Sequence, residues 1–103
     1  MIVQVALLPS TISAAERAVC VVLDVLRASS TMLTMLEAGA SELYLAASAA
    51  EAVATARADR SAHWLCGEQD GLKPAGFDFG NSPTEIAGAD LKARRVILSL
   101  IHI

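Results

Sequence analysis

Two stretches of this 103-residue chain collect the side chains that handle anions. The first, Asp24-Val25-Leu26-Arg27-Ala28-Ser29-Ser30-Thr31, places an aspartate, an arginine and three hydroxyls at a strand-to-helix junction. Unpaired N–H groups at a helix start, with hydroxyls beside them, cradle phosphate or carboxylate. Arg27 adds a planar guanidinium that can grip an anion through two parallel hydrogen bonds. Asp24 offers the hard oxygen that suits magnesium. Each residue also has a plainer reading: Ser29 or Ser30 as a helix cap, Arg27 as a surface ion pair, Asp24 as a turn residue.

The second stretch runs from Gly67 to Pro83 and carries carboxylates at Glu68, Asp70 and Asp78, a cation at Lys73, and a helix start at Ser82. A loop this long in a small domain is usually functional or mobile, and its glycines permit close approach of backbone to a ligand. The plainer reading is a solvated surface loop.

The elements that must hold these stretches alternate in period. The continuous apolar runs Ile2 to Leu8 and Val19 to Leu23 predict two buried strands, the second closing on Asp24. From Ser30, the apolar positions Met32, Leu33, Met35 and Leu36 follow helical spacing as far as Gly39. Glu42 to Ala47 predicts a third strand. Ser48-Ala49-Ala50-Glu51 is a capping box opening a helix to about Ala58. His63 to Cys66 predicts a fourth strand, Ser82-Pro83-Thr84-Glu85 a second capping box, and Val96 to Leu100 a fifth strand. The expectation is one α/β domain over residues 1–103: a parallel or mostly parallel sheet with helices on both faces, incomplete at its C-terminal end. The last strand is expected to lie open, without a covering helix, where a second copy of the chain would pair with it.

Composition excludes several classes. Hydrophobic residues make up 54% of the chain, enough for a core, and aromatics only 4%, so that core is aliphatic. The net charge of -3 comes without a basic run, which argues against a nucleic-acid surface. No apolar run reaches the length of a membrane span and no signal-peptide pattern opens the chain, so a cytoplasmic address is expected. Cys20 and Cys66 both sit in apolar runs and are expected to be buried, reduced thiols. The His63/Cys66 spacing is a poor zinc pair on a strand, where residues three apart face opposite ways.

The two stretches resemble motifs of the 2-phosphosulfolactate phosphatase family: D-V-L-R-A-[ST]-[ST]-T, followed by G-E-x-x-G-x-K-P-x-G-F-D-x-G-N-S-P. Asp24 to Thr31 matches the first and Gly67 to Pro83 the second, within a similarity covering about Val19 to Leu98. The resemblance implies a magnesium-dependent phosphatase that hydrolyses 2-phospho-3-sulfolactate, a step towards coenzyme M in methanogens. It makes Asp24, Glu68 and Asp78 the catalytic carboxylates to test, with Asp24 and Glu68 as metal ligands. Arg27, Ser29, Ser30, Thr31, Lys73, Asn81 and Ser82 become the residues expected to hold a small, highly anionic phosphorylated substrate. One departure stands out. Family members continue into a T-T-N-G-T turn and a second half, whereas this chain reads Ser99-Leu100-Ile101-His102-Ile103, as after a frameshift or premature stop. The chain alone is therefore expected to have little or no phosphatase activity. Two competitors remain. A haloacid-dehalogenase scheme wants a second acid where Leu26 stands. A non-catalytic remnant would at most bind anions or self-associate.

Overall fold

The computed structural model describes residues 1–12 and 17–100. Its ordered unit runs α1 (Ser30–Glu37), β1 (Glu42–Ala46), α2 (Ala49–Ala56), β2 (His63–Glu68), α3 (Pro83–Ala87) and β3 (Arg95–Leu100). The three strands are parallel in the order β1-β3-β2. In register, Leu43 and Trp64 flank Val96, and Ala46 and Gly67 flank Ser99.

Alternation along the strands sorts the core into two layers. Val96, Leu98 and Cys66 point to the face covered by Met35 of α1 and Ile86 of α3, together with Leu91. Ile97 and Leu65 point to the other face, against Ala52 and Ala56 of α2 and against Phe77. The sheet therefore carries helices on both faces. Small alanines on α2 let that helix lie close to the strands, which is how a core with so few aromatic residues still closes.

The helix ends follow local chemistry. Gly39, at φ +94°, ends α1: its N–H bonds to Leu36 O, and the Ala40 N–H bonds to Met35 O. This pattern satisfies the last carbonyls of a helix and requires a left-handed residue there. At α2 the serine half of the expected capping box forms, with the Ser48 hydroxyl accepting from Glu51 N at 3.1 Å, while the Glu51 carboxylate reaches one residue further back and accepts from Ala47 N at 2.9 Å. At α3 the expected box does not form. Ser82 occupies the cap position without a side-chain cap bond, and Glu85 instead accepts from Gly80 N at 3.1 Å. Neither Ser29 nor Ser30 caps α1, because the turn at Val25–Ser29 already winds into the helix, and Ser30 Oγ donates to Val25 O.

Three expectations need correcting. Residues 2–8 and 19–23 are not strands: they run irregularly, and Ile2, Val5, Leu7, Val19, Val22 and Leu23 are exposed. β-Propensity becomes a strand only where a hydrogen-bonding edge receives it. The outer edge of β2 is already followed by residues 77–79, with Gly67 N bonding to Phe79 O and Asp78 N to Leu65 O, and neither residues 2–8 nor residues 19–23 pair with the outer edge of β1. Cys20 is accordingly exposed, and only Cys66 is buried. Burial, then the nearby Asp78 and Glu85 carboxylates, pushes the Cys66 thiol up to about 12. The final strand is not an open edge either. β3 is the middle of the sheet, paired on both sides and covered on both faces. The Ile101–Ile103 tail lies outside the described residues.

Gly67 marks the tightest point of the sheet. A Cβ there would sit 2.2 Å from Ser99 O and 3.2 Å from the Phe77 ring. Gly67→Ala is expected to lower unfolding stability by about 1–3 kcal/mol, read as a shift in urea midpoint. Gly88→Ala, whose new Cβ meets nothing closer than 3.9 Å, should change it by less than about 0.5 kcal/mol.

Candidate functional site

In an open parallel sheet, strand C-termini converge on one rim, and ligands bind beyond it. Here Ala46, Gly67-Glu68 and Ser99-Leu100 reach that rim together. The turn at Val25–Ser29 and the start of α1 arrive from one side. The loop between β2 and α3 arrives from another.

Glu68 joins the two stretches. Its Oε2 accepts from Arg27 Nη2 at 2.6 Å and from Asn81 Nδ2 at 3.4 Å. Arg27 is about half exposed and Glu68 a quarter exposed, so solvent reaches the pair while the loop holds one side of it. One carboxylate thus gathers the arginine of the first stretch and the asparagine of the second, residues 54 positions apart in sequence. Thr31 and Asn81 are buried, and Thr31 Oγ1 and Asn81 Oδ1 have no protein hydrogen-bond partner. Buried polar atoms of this kind are costly unless something fills their bonding capacity.

Asp24 sits half-buried on an open cleft of about 410 Å³ lined also by Ser29, Met32, Leu45, Leu98 and Leu100. The cleft wall is mainly apolar, with Asp24 and Ser29 as its polar side chains.

The structure separates other candidates from this cluster. The Asp78 carboxylate accepts from Leu65 N at 2.8 Å and pairs with Arg60 at 2.8 Å, and Arg60 also donates to His63 O. Asp78 therefore ties the loop to the middle of β2. Ser82 Oγ lies 2.9 Å from Thr84 Oγ1, and Lys73 is exposed on the loop. Asp70 is exposed in a tight two-residue turn with Gly71, both at positive φ, closed by the reciprocal Gln69–Leu72 bonds of 2.8 and 3.0 Å. The Asp-Gly pair was the available sequence signal for that turn. Sequence reasoning also missed Ser99: fully buried at the end of β3, its hydroxyl has no protein partner. The available clue was a lone hydroxyl inside an apolar strand, at the end where sites form. His63 Nδ1 lies 2.6 Å from Asp59 O, and hydrogen bonds from Ser61 and the local backbone hold the Asp59 carboxyl below its usual range.

The chain is a parallel α/β unit with an arginine–carboxylate–asparagine cluster on its strand-end rim. Its sequence matches the model of the 2-phosphosulpholactate phosphatase family over residues 5–100, and the chain belongs to that family. It is 43% identical over 99 residues to a Carboxydothermus hydrogenoformans protein named "Probable 2-phosphosulfolactate phosphatase", covering 96% of this chain and 40% of that one. Proteins of the same name from Deinococcus radiodurans and Thermus thermophilus are each 44% identical over 81 residues, covering 79% of this chain and 33% of theirs. The chain thus spans between a third and two-fifths of the length of these relatives.

Asp78→Ala is expected to cost about 1–3 kcal/mol of stability, because it strips the Leu65 N–H and Arg60 of their acceptor. Urea unfolding checks it, and Glu68→Ala, which takes away side-chain partners but leaves no strand N–H without its acceptor, should cost less.

Proposed function

We propose that this chain supplies the anion-holding rim of a phosphoric monoester hydrolase acting on 2-phosphosulfolactate. The observation that carries the reading is the Arg27–Glu68–Asn81 cluster, which unites both family motifs at the strand ends. A substrate bearing phosphate, sulfonate and carboxylate needs cationic, directional donors, and Arg27 provides them. Without substrate, the guanidinium is held by Glu68. An incoming phosphate competes for Arg27 and frees the Glu68 carboxylate, which Asn81 keeps on the rim. Glu68 is then placed to take a proton from an attacking water as the water oxygen bonds to phosphorus, the ester P–O bond breaks, and the sulfolactate oxygen leaves and takes up a proton from solvent.

Magnesium is part of the proposal. Among the described residues, no three carboxylate, histidine or cysteine side chains come together as a cage. Magnesium does not need one: it keeps several waters and takes one or two carboxylates together with substrate phosphate oxygens. Asp24 and Glu68 are the residues that would hold it, and it would offset charge on the phosphoryl group. Asp78 has a different task in this reading, since its carboxylate is committed to β2 and Arg60. The second reading, a non-catalytic chain that at most binds anions or self-associates, draws on the large apolar residues exposed before residue 27.

Two measurements on the purified chain separate these readings: phosphate release from 2-phosphosulfolactate with and without magnesium, and calorimetric binding of the same compound. Binding is expected, weakened about 10- to 100-fold by Arg27→Ala, in line with the strength of a charged hydrogen bond. Turnover by this chain alone is expected to be weak or absent. A folded chain that neither binds nor turns over the compound would overturn the proposal, while magnesium-dependent turnover abolished in Glu68→Gln would place a sufficient site within these residues.

A further inference from the structure

The chain exposes far more surface than a compact protein of its size. Its accessible surface is 7429 Å². A compact 10.7 kDa chain exposes about 5,500 Å², leaving an excess of about 1,900 Å². The radius of gyration agrees: 15.2 Å, against about 12.8 Å for a compact domain of this length. The excess has a definite location. Val19, Val21, Val22 and Leu23 are 76–94% exposed, and Ile2, Val3, Val5 and Leu7 are 73–91% exposed. A standard protein interface removes only about 800 Å² per partner, and obligate homodimers remove more.

The same molecule carries an unfilled acceptor for such a segment. β1 is a terminal strand of the sheet, paired only with β3 among the described residues. Native edges are normally protected by lysine, proline or a bulge. β1 reads Glu42-Leu43-Tyr44-Leu45-Ala46, with none of these; its single charge is drawn sideways to Arg95 at 3.2 Å, and Tyr44 and Leu45 remain about half exposed. Residues 19–23, Val-Cys-Val-Val-Leu, are β-branched at three of five positions, a composition suited to adding a strand to that edge.

We propose that the outer edge of β1 and the exposed arm at residues 17–23 are the two halves of one self-interface, so that the arm of one copy adds Val19–Leu23 as a strand to β1 of a second copy, and the reverse. Exchange of an identical element is a low-cost route to a two-fold dimer, and reciprocal exchange closes it. The hinge is the Val25–Ser29 turn, after which α1 stays in its own core through Met35. The dimer covers both exposed edges and removes apolar arms from water on both copies.

The chain itself provides the probe. Cys20 lies in the arm and is exposed, whereas Cys66 is buried. Light-scattering mass of the purified chain is expected to be twice the chain mass, falling to one chain for the arm variant Val21→Pro. Circular dichroism of that variant should be retained, since Val21 lies outside both core layers. In Tyr44→Cys, oxidation should join Cys20 of one copy to position 44 of the other, giving a dimer band on a non-reducing gel well above that of the unsubstituted chain. A monomeric mass, or a crosslink formed within one chain, would overturn the proposal; the latter would assign the β1 edge to the molecule's own arm.

Discussion

Both flanking strands depend on β3. β1 and β2 do not pair with each other; among the described residues β1 finds its strand partner only in Arg95–Leu100, and β2 pairs with that same strand on its inner edge. The alternating side chains of β3 also divide the core, with Val96 and Leu98 under α1 and α3 and Ile97 under α2. The pairing is tightest at the rim, where Gly67 lies against the Ser99 carbonyl and where any larger residue would force the strands apart. Because Glu68 follows Gly67 directly, the same close approach that completes the sheet also places the carboxylate that Arg27 and Asn81 share.

Much of this was legible from residue patterns. The alternation of periods gave α1, β1, α2, β2, α3 and β3 their places, and Gly39 and Ser48 behave as the stop and start their chemistry predicts. What failed was the inference from apolar run to strand at residues 2–8 and 19–23, because an isolated segment carries no information about whether an edge awaits it. Strand order was equally hidden: that the last run inserts between two earlier ones follows from long-range pairing, which local composition does not encode.

The site was legible as two stretches but not as a geometry. Residue type made Glu68 and Asp78 equivalent candidates, and only the fold separates them, giving one an arginine at the solvent rim and the other a backbone amide and Arg60. Glycine shows the same ambiguity. Gly67 read as a place for a ligand to approach the backbone, and what approaches it is a neighbouring strand. Ser99 escaped notice because an apolar run is normally read for its apolar members.

The central position of β3 also has a consequence for synthesis on the ribosome. Among the described strands the middle one follows both its neighbours in sequence, so these three cannot pair progressively: β1 and β2 emerge with no strand between them and wait until residues 95–100 have cleared the exit tunnel. At the usual pace of about 5–20 residues per second, β1 waits several seconds as an unpaired apolar strand. Contacts of such long sequence separation are slow to form and leave chains open to association meanwhile. During that interval the strand most open to association is β1, which among the described residues pairs only with β3.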